Sequence, residues 1–391
     1  MNKMRKLYLI SYYFAPLGRA DGVNRTYLVK YLAEMGWDID VLSCANPHGF
    51  LRNFQTDPSL LDVIPDNVKL NRIKSCYWGP LGEIAALLKL AKDPFGNWGH
   101  AVLRNFEDII KDLGIIYAIA PPIRNVFIAA KIAQIKKFPL IIDFRDNVFD
   151  LPVGTVPQAQ AIIASTPHSL SDMRAHYQFG PNIGHVVYNG YPISDVPIHK
   201  VNVQKDTLKI IYAGVLNSCQ DPVILLRAIK LMEKKFPHLK DKIEVHYYGP
   251  KNYYTLFYLR NKLNDNVHFH GYVPFKEVLN EIAKADLAYC SLEKNYKAYC
   301  IPSKTFQYIA METPILAVGA DGALKDLITK NKIGRFSYYD DLESQAMDLY
   351  DLLTNPNARM KMAANLRAIK GRFLMKQQVN TLSSILESII R

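Results

Sequence analysis

Short apolar runs alternate with helix-length segments along this chain; the alternation stops once, then starts again. In the first stretch, runs at 6–13, 39–42, 68–73, 115–119, 140–144 and 161–164 read as strands. Between and after them, 23–35, 81–91, 101–113, 123–136 and 169–177 carry apolar residues at helical spacing, the first ended by Gly36. Residues 191–207 hold Pro192 and Pro197 among polar residues with no sustained period, which predicts a linker. Strands are then expected at 208–212, 243–247, 267–269, 287–289 and 315–318, and helices at 222–236, 254–263 and 303–311, with a nearly all-helical tail over 342–390. Strands alternating with helices of this length mean βαβ units on mostly parallel sheets. The expected fold class is therefore α/β, with two doubly wound Rossmann-like domains facing a cleft. Such sheets take ligands beyond the carboxyl ends of their strands.

Composition narrows the function classes. With 49% hydrophobic and 21% charged residues the chain is neither disordered nor low-complexity. Cys44, Cys76, Cys219, Cys290 and Cys300 are scattered without a CxxC pair, so neither a disulfide framework nor a structural zinc site is expected, and a reducing cytoplasm fits. The apolar run after the basic start is too short for a signal peptide and no small-residue cleavage site follows, so a first strand is expected. No run is long enough to span a membrane, leaving peripheral contact. A net charge of +12 favours anionic partners. Basic residues come as dispersed pairs with no recognition-helix or RNA-binding signature, so nucleic acid is not expected. GxGxxG after a strand, GxxxxGK[ST], GxSxG and HExxH are all missing, which removes the usual dinucleotide, P-loop, hydrolase and zincin chemistries.

Four segments can carry chemistry. The loop with Gly18, Arg19, Asp21, Gly22 and Arg25 joins a strand to a helix: it reads as an anion seat made by helix-terminal amides, or as a plain turn relieved by Gly22. Asp143, Arg145 and Asp146 end a strand: one reading is a carboxylate that orients a hydroxyl, the other a structural ion pair. Tyr188-Asn189-Gly190 reads as a hinge turn. Pro302-Ser303-Lys304 opens a helix whose first amides can hold a diphosphate, with Lys304 as an added cation and Gln307 one turn along the same face. The alternative makes Lys304 a surface residue.

In this order the segments resemble the GT-B glycosyltransferases, specifically the mostly retaining family four (glycosyl transferases group 1) that builds bacterial capsule, O-antigen and exopolysaccharide. Carrying the resemblance are the opening Tyr13-Phe14-Ala15-Pro16, the run from Gly36 to Leu42, Pro121-Pro122, Asp143 to Asp146, Tyr188 to Gly190, Tyr212-Ala213-Gly214, and Pro302 to Leu316. There are departures. The two donor-site glutamates of the family fall on Tyr299 and Gln307, the basic pair after the Tyr212–Gly214 strand is replaced by Asn217 and Gln220, and the paired glycines of the first loop are reduced to Gly22.

The resemblance implies transfer of a sugar from a nucleotide diphosphate sugar to a hydroxyl of a glycan or polyprenyl-diphosphate-linked acceptor, without a metal and with no cofactor beyond that donor. Residues 205–374 would bind the donor through Gly214, Asn217, Glu293, Lys297, Ser303, Lys304 and Gln307. Residues 1–195, completed by a helix at about 375–391, would hold the acceptor, with Gly18, Gly22, Arg25 and Arg145 near a phosphate and Asp143 or Asp146 orienting the hydroxyl. The implied location is the cytoplasm, with peripheral contact at the inner face of an anionic membrane. Trp78 to Trp98, with its lysines and apolar face, is the candidate contact or else an ordinary core-facing helix. The alternatives are a sugar-nucleotide epimerase and a non-catalytic nucleotide-sugar binder.

Overall fold

A computed structural model describes residues 5–47, 56–75, 95–149, 154–192, 207–216, 220–221, 223–249, 266–294 and 297–390. The expected helices at 81–91 and 254–263, Trp78 with most of the segment after it, most of the linker and Asn217 lie outside these residues. The chain divides into two units, Met1–Pro192 with Met375–Arg391, and Ile193–Leu374.

The first unit is built on a parallel seven-stranded sheet, β1 (Lys6–Ile10), β2 (Asp38–Cys44), β3 (Val68–Ile73), β4 (Ile115–Ala120), β5 (Leu140–Phe144), β6 (Ala161–Ala164) and β7 (Gly184–Val186), in the order β3-β2-β1-β4-β5-β6-β7. β1, β4, β5 and β6 are buried along their whole length, as continuous apolar runs of parallel strands demand. Chain order runs outward from β1 on one side and from β4 on the other. The helices leaving β1 and β4 therefore cover opposite faces and open a crevice at the switch point between those strands.

The C-terminal helix Met375–Ile389 belongs to this unit. Val379, Leu382 and Leu386 are buried in the cluster of Leu7, Leu9, Leu28, Leu32 and Trp37. The Trp37 indole N–H donates to Ser383 Oγ at 2.9 Å, Arg5 pairs with Glu387 at 2.8 Å, and the Tyr188 amide donates to Gln378 at 2.9 Å.

In the second unit six parallel strands run β10-β9-β8-β11-β12-β13: β8 (Leu208–Ala213), β9 (Ile243–Tyr248), β10 (Val267–Gly271), β11 (Leu287–Ser291), β12 (Ile315–Gly319) and β13 (Gly334–Tyr338). Its switch point lies between β8 and β11. The helices Phe275–Lys284 and Ala323–Asn331, and strands β7 and β13, were not among the sequence expectations. The tail resolves into Leu342–Thr354, Pro356–Ile369 and the Met375 helix. Two parallel, doubly wound sheets flanked by helices bear out the expected α/β class with two Rossmann-like units.

Candidate functional site

At the second unit's switch point, β8 ends in Ala213-Gly214 and β11 ends in Ser291, followed by a loop into the helix Ser303–Ala310. Pro302 stands at the N-cap with no side chain capping the helix, and Ser303 and Gln307 are half-buried, so this helix start is not sealed in packing. The Thr305 amide already donates to the Pro302 carbonyl at 2.9 Å, so the amides of Ser303 and Lys304, with the helix dipole, are what this start can offer an anion.

Lys304 is buried at 8% exposure. Its ammonium lies 3.5 Å from the centroid of the Tyr212 ring and donates to Gln220 Oε1 at 2.6 Å. Burial pushes its pKa down to about 7, with Cys290 and Cys300 opposing the shift. The surface-residue reading is thus excluded: Lys304 is a desolvated base held between neutral groups.

Gly214 is what lets it fit. A Cβ there would come within 3.2 Å of Lys304 Cε and 3.3 Å of Nζ, and its φ of +139° is one that side chains rarely adopt. Tyr308, fully buried one turn after Lys304, donates to the Tyr289 carbonyl at 3.2 Å and accepts from the Ala213 amide at 3.1 Å. The helix is thereby tied to both strands of the switch point. Tyr212 donates to the Val215 carbonyl and to Gln220 as well. Sequence reasoning noted Tyr212 and Gln220 only as a strand residue and a departure. No local signal marks them as the seat of a lysine roughly ninety positions away.

Elsewhere in the unit, Lys297 has φ +40° and begins a turn closed by the Cys300 amide on its carbonyl at 2.8 Å. Ala298 O in that turn accepts from Ala323 at 2.8 Å, and a Cβ on Gly322 would meet it at 2.1 Å. Glu293 is half-buried in the loop after β11.

In the first unit two expectations are corrected. Asp143 has no exposed surface, and its Oδ2 accepts from the Tyr117 hydroxyl and from Arg145 at 2.8 Å (Nε) and 2.5 Å (Nη2). Oδ1 is buried without a hydrogen-bond partner among the described residues. A carboxylate enclosed like this cannot orient an incoming hydroxyl, so the ion-pair reading holds. Burial, and then the charge of Asp143, raise the Tyr117 pKa well above its ordinary value. Arg145 is likewise engaged, reaching the carbonyl of Val187 at 3.2 Å and those of Tyr188 and Asn189 Oδ1 at 3.4 Å, which pins the Tyr188–Gly190 turn.

Arg25 is the second correction. At 3% exposure it donates to Ser11 Oγ and the Tyr13 carbonyl, both at 3.1 Å, and to the Pro121 carbonyl at 2.7 Å. It clasps the loops after β1 and β4 and faces no open anion site. Gly22 is fixed by packing, because a Cβ there would lie 2.2 Å from the Leu17 carbonyl oxygen. The same helix start already carries Asp21, paired with Arg19 at 3.3 Å and accepting from the Gly22 amide at 3.2 Å. Gly18 and Asp146 are half-buried in the loops after β1 and β5.

Residues 197–368 match the family model of glycosyl transferases group 1, and the chain as a whole has the fold of GT-B glycosyltransferases. A glycosyltransferase from Rickettsia africae ESF-5 superposes with a TM-score of 0.69 at 14% identity, covering 100% of both chains. WaaG, a glycosyltransferase involved in lipopolysaccharide biosynthesis, gives 0.65 at 15% identity over 97% of this chain and 99% of its own. Anabaena HepE in complex with UDP-glucose gives 0.66 at 16% identity over 98% and 99%. No curated protein matches the sequence. The matched region of the group 1 model thus lies within the second unit, and the solved structures share the fold of the whole chain.

Proposed function

We propose that this chain transfers a sugar from a nucleotide diphosphate sugar to a hydroxyl of a glycan or polyprenyl-diphosphate-linked acceptor in bacterial surface polysaccharide synthesis. The observation carrying the reading is the uncapped start of the Ser303 helix, beside a buried lysine and under a glycine, at the β8/β11 switch point. Fixed amide dipoles and an ammonium at that point supply what the reaction most needs, namely stabilisation of negative charge on the departing diphosphate. In this reading Lys304 exchanges Gln220 for a phosphate oxygen and regains its charge there. Gln307, one turn on, accepts from the ribose through its amide oxygen. Glu293 and Lys297, between β11 and the Ser303 helix, join the proposed donor set, as does Asn217 on the sequence resemblance alone.

Transfer breaks the bond between the anomeric carbon and the diphosphate oxygen and forms one to the acceptor oxygen. If the hydroxyl enters on the leaving-group face, the departing oxygen is the nearest base for its proton. Retention then needs no carboxylate nucleophile, and the chemistry needs no metal. Asp146 and Gly18 in the first unit stay with the acceptor in this proposal, while Asp143, Arg145 and Arg25 hold its loops in shape. The excess positive charge suits an anionic lipid-linked acceptor, and no helix among the described residues is long and apolar enough to cross a membrane. Peripheral work at the inner face of a cell membrane is the corresponding location.

One residue favours a second reading. Gln307 lacks the charge that a glutamate would bring to the ribose hydroxyls, which suits a nucleotide-sugar binder without turnover. A thermal-shift screen of nucleoside diphosphates and their sugars tests binding, since a ligand of the folded state alone raises its melting temperature. Lys304→Ala is expected to weaken diphosphates by at least ten-fold more than the parent nucleosides; equal losses would remove Lys304 from the phosphate site. Release of nucleoside diphosphate in proportion to glycosylated acceptor separates transfer from epimerisation and from binding alone.

A further inference from the structure

The outer part of the second sheet carries a polar cluster unrelated to the switch point. Along β9 the odd positions Val245 and Tyr247 enter the core, so Glu244, His246 and Tyr248 share the opposite face. β10 pairs in parallel register, setting His268 beside His246 and bringing His270 onto the same face. The result is three imidazoles and a carboxylate on two adjacent strands.

Their geometry is specific. Ligand atoms of Glu244, His246 and His268 all lie within 4.8 Å of one another. His246 Nε2 is 3.4 Å from Glu244 Oε2, while its other ring nitrogen, Nδ1, is 2.9 Å from His270 Nε2. The His246 and His268 rings sit 4.7 Å apart, and His270 stacks on Tyr248 at 4.3 Å. The side chain of Glu244 is 41% exposed and that of His246 13%, so the cluster is reachable from solvent.

We propose that Glu244, His246 and His268 form a binding site for a divalent transition cation of the zinc type, with His270 as the positioning residue behind His246. Two imidazoles and one carboxylate suit zinc and its neighbours, and disfavour magnesium or calcium, which take oxygen ligands. Bonds of about 2.0–2.1 Å in tetrahedral array place ligand atoms roughly 3.4 Å apart. The present spacing closes to that by side-chain rotation, with the strands left in place. A metal-bound imidazole characteristically donates its second ring N–H to a partner that fixes its tautomer, and the His246 Nδ1 to His270 Nε2 contact supplies that partner. Three protein ligands leave a fourth position on the open side. A cation held there would staple β10, the sheet's outermost strand on this side, to β9. Lys209 and Glu281, on the neighbouring strand and helix, pair with each other at 3.0 Å, and Glu281 also takes Lys284 at 2.8 Å and the Tyr248 hydroxyl at 3.1 Å, while the Lys209 charge is felt at His246 and His270.

The test uses the full chain after chelator treatment, titrated with Zn2+ by calorimetry and with Co2+ by visible absorption. One equivalent should bind, with a nitrogen- and oxygen-ligated cobalt spectrum and a raised melting temperature. His246→Ala and His268→Ala should each abolish the cobalt signal. His270→Ala should weaken zinc by about 10–100-fold while keeping one equivalent. Circular dichroism confirms folding, and His268→Gln serves where the alanine variant does not fold. Absence of binding to the wild type, or titrations of wild type and His246→Ala that coincide, would overturn the assignment. A metal-free fold that binds nucleotide diphosphates normally leaves the donor proposal standing, so the two readings fail separately.

Discussion

If Lys304 meets the donor diphosphate as proposed, donor binding should take up a proton. Burial against Tyr212 and Gln220 sets its pKa at about 7, against an ordinary value of 10.5. At pH 8 the unliganded lysine is therefore only about one-tenth charged. A diphosphate at the Ser303 helix start favours the charged form and returns the pKa towards its ordinary value. Binding at pH 8 should then take up about 0.9 proton, and affinity should fall about 30-fold from pH 6 to pH 8.5.

Stability of the free chain should move the other way. The folded pKa is depressed below the unfolded one, so between about 7 and 10.5 the unfolded state holds more protons, and stability rises with pH by at most about 1.4 kcal/mol per unit. Calorimetry of a nucleotide sugar in buffers of different ionisation enthalpy reads the uptake directly, and thermal unfolding reads the second trend. Lys304→Met should remove the uptake and flatten the affinity profile. Wild-type binding without proton uptake, at an affinity constant across this range, would refute both the titration and the phosphate role.

Two further outcomes follow from the contacts described. Gln307→Glu should tighten a nucleotide sugar by about 1–2 kcal/mol through a charge-assisted ribose hydrogen bond, and calorimetry showing no change would displace Gln307 from the ribose. Asp143→Ala leaves the enclosed Arg145 without its carboxylate and should cost about 3–5 kcal/mol in urea unfolding; a loss under 1 kcal/mol would show that the pair does not hold the Tyr188–Gly190 turn.

Much of the architecture was legible because parallel strands buried on both faces read as apolar runs, and β4, β6 and β12 are such runs. β7 and β13 were not: Gly184-His185-Val186 and Gly334–Tyr338 lie at sheet edges, half-buried, and owe their strand form to pairing with β6 and β12. The Phe275–Lys284 helix shows helical spacing at Val278, Leu279 and Ile282, but it is short and enclosed by strands. Site residues were harder. Whether Asp143 faces solvent or an ion pair depends on Tyr117, which arrives from β4. The value of Lys304 depends on Tyr212 and Gly214 in the same way. Glu244 and His246, like His268 and His270, alternate in the pattern of one strand face, yet only the β9–β10 register brings the two pairs together.

The helix Met375–Ile389 lies last in the chain, yet it fills the core of the unit that begins it. Val379, Leu382 and Leu386 cannot cover the apolar surface around Trp37 until everything between has been synthesised. Removing Met375–Ile389 should accordingly disturb the unit of Met1–Pro192 more than the unit of Ile193–Leu374.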